Sequence, residues 1–159
     1  MSKINERATA EQTHLHMTEH NLFPPCQSAY RKYHSTETAL LKIKNDLLLN
    51  INNRNVMLLV LLDLSAAFDT VDHVILLQRL RHRLGISGRA LDWFDSYLSG
   101  RSQRISINGT LSDKFLLECG VPQGSCLGPL LFVIYTSKLF EIVRNHLPQV
   151  HCFADDTQN

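Results

Sequence analysis

Four segments of the chain carry apolar residues at helical spacing and predict helices. The first begins after Ser35, a residue that typically caps a helix, and ends at the polar cluster Asn52–Asn55. Its predicted apolar face consists of Leu40, Leu41, Ile43, Leu47 and Leu48. The other three segments are about 74–84, 87–98 and 127–143. Gly85 and Gly100 follow the second and third of them, and glycine is the usual residue just past the end of a helix.

Four other segments predict β-strands. Val56–Leu62 is a continuous apolar run, typical of a central strand that is buried on both faces. Two strands are predicted over about 103–107 and 114–118, joined by a loop that opens with Asn108-Gly109. The last strand is Val150–Phe153, and so few residues follow it that we expect no returning strand. Strands and helices are interspersed, which indicates an α+β or α/β fold.

The composition narrows the class of protein. A chain of 159 residues, 44% of them hydrophobic and 19% charged, can bury one core, so we expect one domain after a polar N-terminal segment, 1–21. The net charge of +1 is too balanced to indicate a nucleic-acid partner by itself. The four cysteines form no Cys-x-x-Cys pair, which favours reduced intracellular thiols over a zinc site or disulfides. No signal-peptide core and no membrane-spanning segment is evident, so we expect a soluble intracellular protein.

Carboxylates directly follow two of the predicted strands. Asp63 follows seven apolar residues, and Asp155 and Asp156 follow Val150–Phe153. One interpretation is that these residues cap the turns after the strands, a common role for aspartate. The other is that neighbouring strands bring three carboxylates to one sheet edge, where hard cations such as Mg²⁺ would bind and support phosphoryl transfer. The spacing alone leaves both interpretations open.

A third feature is the segment Gly120-Val121-Pro122-Gln123-Gly124-Ser125. Glycines on both sides of the Pro-Gln pair allow a ligand to approach the backbone closely, and Gln123 offers a donor and an acceptor. An ordinary turn between a strand and a helix would have the same pattern.

Taken in order, these segments resemble motifs A, B and C of reverse transcriptases, most closely those of non-LTR (LINE-like) retrotransposons. The matching segments are Leu61–Asp69 (LLDLSAAFD), Gly120–Ser125 (GVPQGS) and Phe153–Asp156 (FADD), with a further upstream similarity over Gln27–Leu40. The resemblance covers nearly all of 22–159. It departs from many relatives in having Phe153 where they have tyrosine.

The resemblance implies a role for each matching residue. Asp63 and Asp155, with Asp156 beside them and the carbonyl of Leu64 as a further ligand, would bind two Mg²⁺ ions, with Mn²⁺ as a possible substitute. Phe68 would pack against the sugar of the incoming nucleotide and disfavour ribonucleotides. Gln123 and Gly124 would line the nucleotide and template side. Arg31 and Lys32 would meet template phosphates, although an exposed basic surface explains them equally well.

The resemblance further implies a truncated right-hand polymerase fold over 22–159, with a palm-type antiparallel sheet packed on helices and no thumb. The expected function is RNA-directed DNA polymerase, with an RNA template, a DNA primer and deoxynucleoside triphosphates as partners, in the nucleus or cytoplasm. There are two alternatives. One is a catalytically inactive relic or nucleic-acid-binding module, and the other is a different Mg²⁺-dependent enzyme, such as a nuclease. We expect the isolated chain to have little polymerase activity.

Overall fold

The computed structural model describes residues 3–31, 33–62, 64, 66–147, 150–153 and 156–158. The chain divides into two compact units, the first formed by 1–22 and 68–135 and the second by 23–67 and 136–159. The helices in the described part of the chain are α1 (Lys3–Glu19), α2 (Thr36–Asn52), α3 (His73–His82), α4 (Arg89–Leu98) and α5 (Gly128–His146). The strands are β1 (Leu61–Leu62), β2 (Ser102–Gln103), β3 (Ser106–Ile107), β4 (Thr110–Leu111), β5 (Phe115–Leu116), β6 (His151–Phe153) and β7 (Asp156–Gln158). Helices and short antiparallel strand pairs together make this an α+β protein, as the sequence predicts.

The first unit has a core of helical residues. Helices α3 and α4 pack against each other and bury Leu76, Leu80, Phe94 and Leu98, and the first turns of α5 bury Leu131 and Phe132. The Asp72 carboxylate caps α3 by accepting a hydrogen bond from the Ile75 N–H at 2.9 Å. The sequence predicts the boundaries of α3, α4 and α5 to within a few residues.

Helix α1 lies in the N-terminal segment, for which the sequence indicates only a polar stretch. Its buried residues are Glu6, Thr13 and Met17. They are spaced by seven and four positions, which places them on one face of the helix. Because two of the three are polar, the hydrophobic pattern does not reveal this face.

The second unit contains a three-stranded antiparallel sheet in the order β1-β7-β6. Strand β7 pairs with β1 through Leu61↔Gln158 and Leu62↔Thr157, and with β6 through Cys152↔Thr157 and Phe153↔Asp156. The expectation that no strand returns after β6 is therefore wrong. The return takes only a three-residue strand, and its polar residues Thr157 and Gln158 carry no strand pattern.

The apolar run Val56–Leu62 differs from its prediction as a buried central strand. Only Leu61 and Leu62 form a strand, at the edge of the described sheet, while Val56 and Leu58 are 101% and 81% exposed. Among the described residues, β7 pairs with Leu61 and Leu62 of this run.

The region 102–116 also differs in detail from the two strands predicted there. Strands β3 and β4 pair around Asn108-Gly109, and β2 and β5 pair outside them. All four strands are exposed, so no buried side chains stabilise longer strands in this region.

Helix α2 begins as predicted at the Ser35 cap, which forms a reciprocal capping box with Thr38. None of its residues is buried, however, and Leu40 and Leu41 of the predicted apolar face are 54% and 63% exposed. The four cysteines, all of them among the described residues, form no disulfide. None of the described helices is long and apolar enough to cross a membrane.

Candidate active site

The sheet of the second unit brings two predicted strand ends to one edge. Strands β1 and β6 both run antiparallel to β7, so they run parallel to each other. Their C-terminal residues therefore lie along the same edge of the sheet, the edge perpendicular to the strands. Strand β1 ends at Leu62, directly before Asp63 in the chain, and β6 ends at Phe153, two residues before Asp155. At that edge β7 begins with Asp156. The metal-site interpretation requires the carboxylates to meet at one sheet edge, and the ends of β1 and β6 lie along one edge with β7 between them.

One detail of that interpretation is wrong. The strands that precede Asp63 and Asp155 are not neighbours, because β7 lies between them. Asp63 and Asp155 themselves lie outside the described residues, as does Lys32. Among the residues that the structure does describe, no group of three His, Cys, Asp or Glu side chains could hold a metal ion. The roles assigned to Asp63, Asp155 and Asp156 therefore stay predictions, as does that of half-buried Leu64, two residues beyond β1.

The upstream similarity segment pairs with β6. The Cys152 N–H donates to the Cys26 carbonyl at 2.9 Å, and the Ser28 N–H donates to the Cys152 carbonyl at 2.9 Å, which forms a parallel bridge. Gln27 between them is fully buried. The residues that precede Arg31 are thereby fixed to the sheet that carries the strand ends.

Arg31 packs within the second unit. Its guanidinium lies 5.5 Å from the centre of the Phe23 ring, and its Nη1 donates to the Gln27 carbonyl at 3.4 Å. The side chain is half-buried. A template contact by Arg31 stays a prediction, and these contacts show which residues would orient the guanidinium for it.

In the first unit, the ends of two similarity segments lie side by side. The Val121 N–H donates to the Phe68 carbonyl and the Gly120 N–H to the Val71 carbonyl, each at 2.8 Å. A β-bridge between Asp72 and Cys119 continues the pairing. Gly120 has φ +87°, and a Cβ built on it would lie 2.9 Å from the Asp69 carbonyl oxygen. Glycine is required at this position for both the backbone conformation and the close approach.

Gln123 makes a contact that the sequence does not predict. Its Nε2 donates to both carboxylate oxygens of Asp69, at 3.2 Å each. Both residues are exposed. Asp69 belongs to the first similarity segment without a predicted role, and only the pairing of the two segments reveals that it orients Gln123. Beside it, Gly124 has φ +71°, and a Cβ added there would meet no other atom within 4 Å, so the backbone is open to a ligand.

The Phe68 ring is half-buried and packs against Phe132 of α5, with ring centres 5.0 Å apart. This packing fixes the ring on one side. The structure thus places Phe68, Gln123 and Gly124 in the first unit, and Arg31, Leu64 and Asp156 in the second.

Sequence reasoning also missed a buried polar cluster next to Gln123 and Gly124. Glu6, Tyr97 and Ser125 are 6%, 8% and 9% exposed. Tyr97 Oη and Ser125 Oγ lie 2.8 Å apart, and both donate to Glu6 Oε1. The three residues are 28 to 119 positions apart in the chain, so no local motif could have indicated the cluster.

Comparison with known proteins shows which sequences the chain is similar to. The sequence profile of the family described as reverse transcriptase (RNA-dependent DNA polymerase) matches residues 1–158. The chain is 30% identical over 139 residues, 87% of its length, to a Drosophila melanogaster protein named probable RNA-directed DNA polymerase from transposon BS. It is 32% identical over 116 residues, 73% of its length, to the RNA-directed DNA polymerase from mobile element jockey of Drosophila funebris.

A third relative is the retrovirus-related Pol polyprotein from type-1 retrotransposable element R2 of Popillia japonica, 32% identical over 87 residues, or 55% of this chain. The chain spans 15%, 12% and 14% of the lengths of these three relatives, respectively.

Proposed function

Because the chain belongs to the reverse transcriptase (RNA-dependent DNA polymerase) family, we propose that it carries the nucleotide-adding centre of a retrotransposon RNA-directed DNA polymerase. The family match and the retrotransposon relatives confirm the resemblance of the three motifs to LINE-like reverse transcriptases. The observation that carries the proposal is the strand arrangement: β1 and β6 end at one sheet edge, one and two residues before Asp63 and Asp155 in the chain.

We assign the metal site to this edge. Asp63 and Asp155 would hold two Mg²⁺ ions, with Asp156 and the Leu64 carbonyl as further oxygen donors; Mn²⁺ would bind the same donors. The chemistry of the donors fits, because hard divalent cations prefer carboxylate and carbonyl oxygens. When bound, the ions would activate the primer hydroxyl and stabilise the leaving pyrophosphate. The contribution of the protein is to hold these oxygens in fixed positions.

We assign the deoxynucleotide side to the paired segments of the first unit. Phe68 would pack against the sugar, and Gln123 and Gly124 would contact the nucleotide and template. The contacts that support this are the backbone pairing of Phe68 with Val121 and the anchoring of Gln123 by Asp69. They preorganise both elements before any substrate binds, which is how positioning lowers a barrier.

The remaining expectations complete the proposal. Arg31 and Lys32 would contact template phosphates, and the chain would form the fingers edge and palm of a right-hand polymerase fold. RNA template, DNA primer and deoxynucleoside triphosphates would be the partners, and the nucleus or cytoplasm the location, since these substrates are found there.

A metal titration tests the central assignment. Mn²⁺ serves as the probe, and free Mn²⁺ is followed by electron paramagnetic resonance as the 159-residue chain is added in the presence of dTTP. We expect Asp63→Asn and Asp155→Asn each to weaken Mn²⁺ binding by at least about tenfold, since even the loss of an outer-shell partner costs about 10–100-fold in affinity. Asp92→Asn, at an exposed position of α4, is the matched control and should leave binding unchanged.

Equal Mn²⁺ binding by the wild-type chain and the two variants would overturn the metal site. Mn²⁺ binding that needs both carboxylates but is insensitive to dTTP would favour the nuclease alternative over a polymerase.

A further inference from the structure

Glu6 is a buried carboxylate that no part of the proposed chemistry uses. It lies on α1 with 6% of its surface exposed, and its side chain contacts the turn that joins Gln123 and Gly124 to α5. A buried charge is costly unless hydrogen bonds and an opposite charge compensate it. The compensation that Glu6 receives is therefore informative about what the residue does.

Hydrogen bonds from the turn and from α4 converge on one oxygen of Glu6. Oε1 accepts from Ser125 Oγ, from Tyr97 Oη at 3.1 Å and from the Leu127 N–H at 3.4 Å. Ser125 Oγ in turn accepts from the Leu127 N–H at 3.0 Å and the Gly128 N–H at 2.8 Å, where α5 begins. Glu6 thus fixes the hydroxyl that caps α5.

Lys3 holds the other side of the same turn. Its Nζ donates to the Gly124 carbonyl at 3.0 Å and lies 3.6 Å from Glu6 Oε2. The Gly124 carbonyl and the Ser125 hydroxyl, on consecutive residues, are therefore both held by one turn of α1.

The charge state of Glu6 agrees with this geometry. Burial alone would raise the pKa of Glu6, but the hydrogen bonds from Ser125, Leu127 and Tyr97, together with the charge of Lys3, lower it below the usual value of a glutamate. The carboxylate is therefore ionised at neutral pH and accepts strong, charge-assisted hydrogen bonds.

We propose that Glu6 is a positioning residue: it fixes the turn 123–125 so that Gln123 and Gly124 are held in place for the incoming deoxynucleotide. The inference rests on the proposed function, which puts the nucleotide at this turn. It differs from a role in anchoring α1 alone, because two of the hydrogen bonds of Glu6 come from Ser125 and Leu127, which lie between Gly124 and α5, and the third comes from Tyr97 of α4.

Hydrogen exchange in Glu6→Gln tests the proposal directly. We expect amide exchange over 121–128 to accelerate by about tenfold, as the loss of a charge-assisted hydrogen bond predicts, with exchange over 8–19 of α1 unchanged. The affinity for dTTP with Mg²⁺ should fall in parallel. Glu11→Gln, at an exposed position of the same helix, is the matched control and should change neither quantity.

Lys3→Ala supplies a second variant if Glu6→Gln does not fold, since Lys3 is 71% exposed and the loss of its side chain leaves the core intact. It should accelerate exchange around Gly124 to a smaller extent. Unchanged exchange over 121–128, or equal acceleration over α1 and the turn, would overturn the positioning role. Accelerated exchange with unchanged dTTP affinity would overturn its link to the nucleotide. A wild-type chain that binds no dTTP would instead refute the proposed function of the turn, and the exchange data would still decide whether Glu6 fixes it.

Discussion

The contact between Gly120 and Asp69 offers a quantitative test of how the two paired segments of the first unit are held together. Gly120 needs a positive φ of +87°, and an added Cβ would lie 2.9 Å from the Asp69 carbonyl oxygen and 3.1 Å from its Cα. The obstructing atoms belong to the backbone, so no side chain can rotate away. The variant Gly120→Ala must therefore either strain this site or separate the segments.

The expected loss of unfolding free energy in Gly120→Ala is the sum of two costs. A left-handed backbone conformation costs an alanine about 1–2 kcal/mol relative to glycine. Overpacking a well-packed site adds about 1–3 kcal/mol. The matched control is Gly85→Ala, because Gly85 lies in the same unit with φ +70° and would place no Cβ within 4 Å of another atom. Gly85→Ala should therefore show only the cost of the left-handed backbone conformation.

Urea unfolding, followed by the fluorescence of the single tryptophan, Trp93, measures both variants in the same unit. We expect Gly120→Ala to lower the free energy of unfolding by about 1–3 kcal/mol more than Gly85→Ala does. At a urea dependence of about 1–3 kcal/mol per molar, the midpoint falls by roughly a further 1 M. Equal losses in the two variants would refute the reasoning, because they would show that the segments can separate without cost.

Three further predictions follow. Phe68→Ala in a complete polymerase that contains this segment should raise ribonucleotide incorporation in primer extension, because the Phe68 ring, which packs against Phe132, would no longer exclude a 2′-hydroxyl. Unchanged discrimination between ribonucleotides and deoxynucleotides would mean that another residue excludes the 2′-hydroxyl. The hydrogen bond from the Cys152 thiol outweighs burial and lowers the pKa of Cys26 to about 7, so alkylation of Cys26 by iodoacetamide should be half-maximal near pH 7. Cys152→Ala should move that midpoint upward, and an unmoved midpoint would contradict the cause. The isolated 159-residue chain should extend a primer little on an RNA template with Mg²⁺, and processive extension that is lost in Asp155→Ala would contradict this.

Local signals in the sequence were sufficient for most of the helices. Ser35, Gly85 and Gly100 mark helix boundaries that the structure reproduces within a few residues, because caps act through their immediate neighbours. Helix α1 was not predicted because its buried face consists of Glu6, Thr13 and Met17, and polar residues at core positions do not appear in a hydrophobic pattern.

Features that depend on distant partners could not be read from local patterns. Strand β7 is three residues long and entirely polar, and it is a strand only because β1 and β6 lie on either side of it. The motif segments indicated Gln123 and Phe68, but the contacts that hold them come from Asp69 and Phe132. A motif thus identifies candidate residues, while the residues that fix their positions become visible only when the fold brings them together.

Strand β7 also changes the physical reason for expecting little activity from the isolated chain. If no strand followed β6, nothing would fix the geometry of Asp155-Asp156 from the C-terminal side, and β6 would have an open edge. The structure instead pairs β6 with β7 on one side and with the segment Cys26–Ser28 on the other. The remaining reason to expect low polymerase activity is electrostatic. A net charge of +1 provides little general attraction for a primer–template duplex, whose binding depends on neutralising phosphates. Duplex affinity, rather than the geometry of the strand ends, is therefore the property expected to limit the isolated chain.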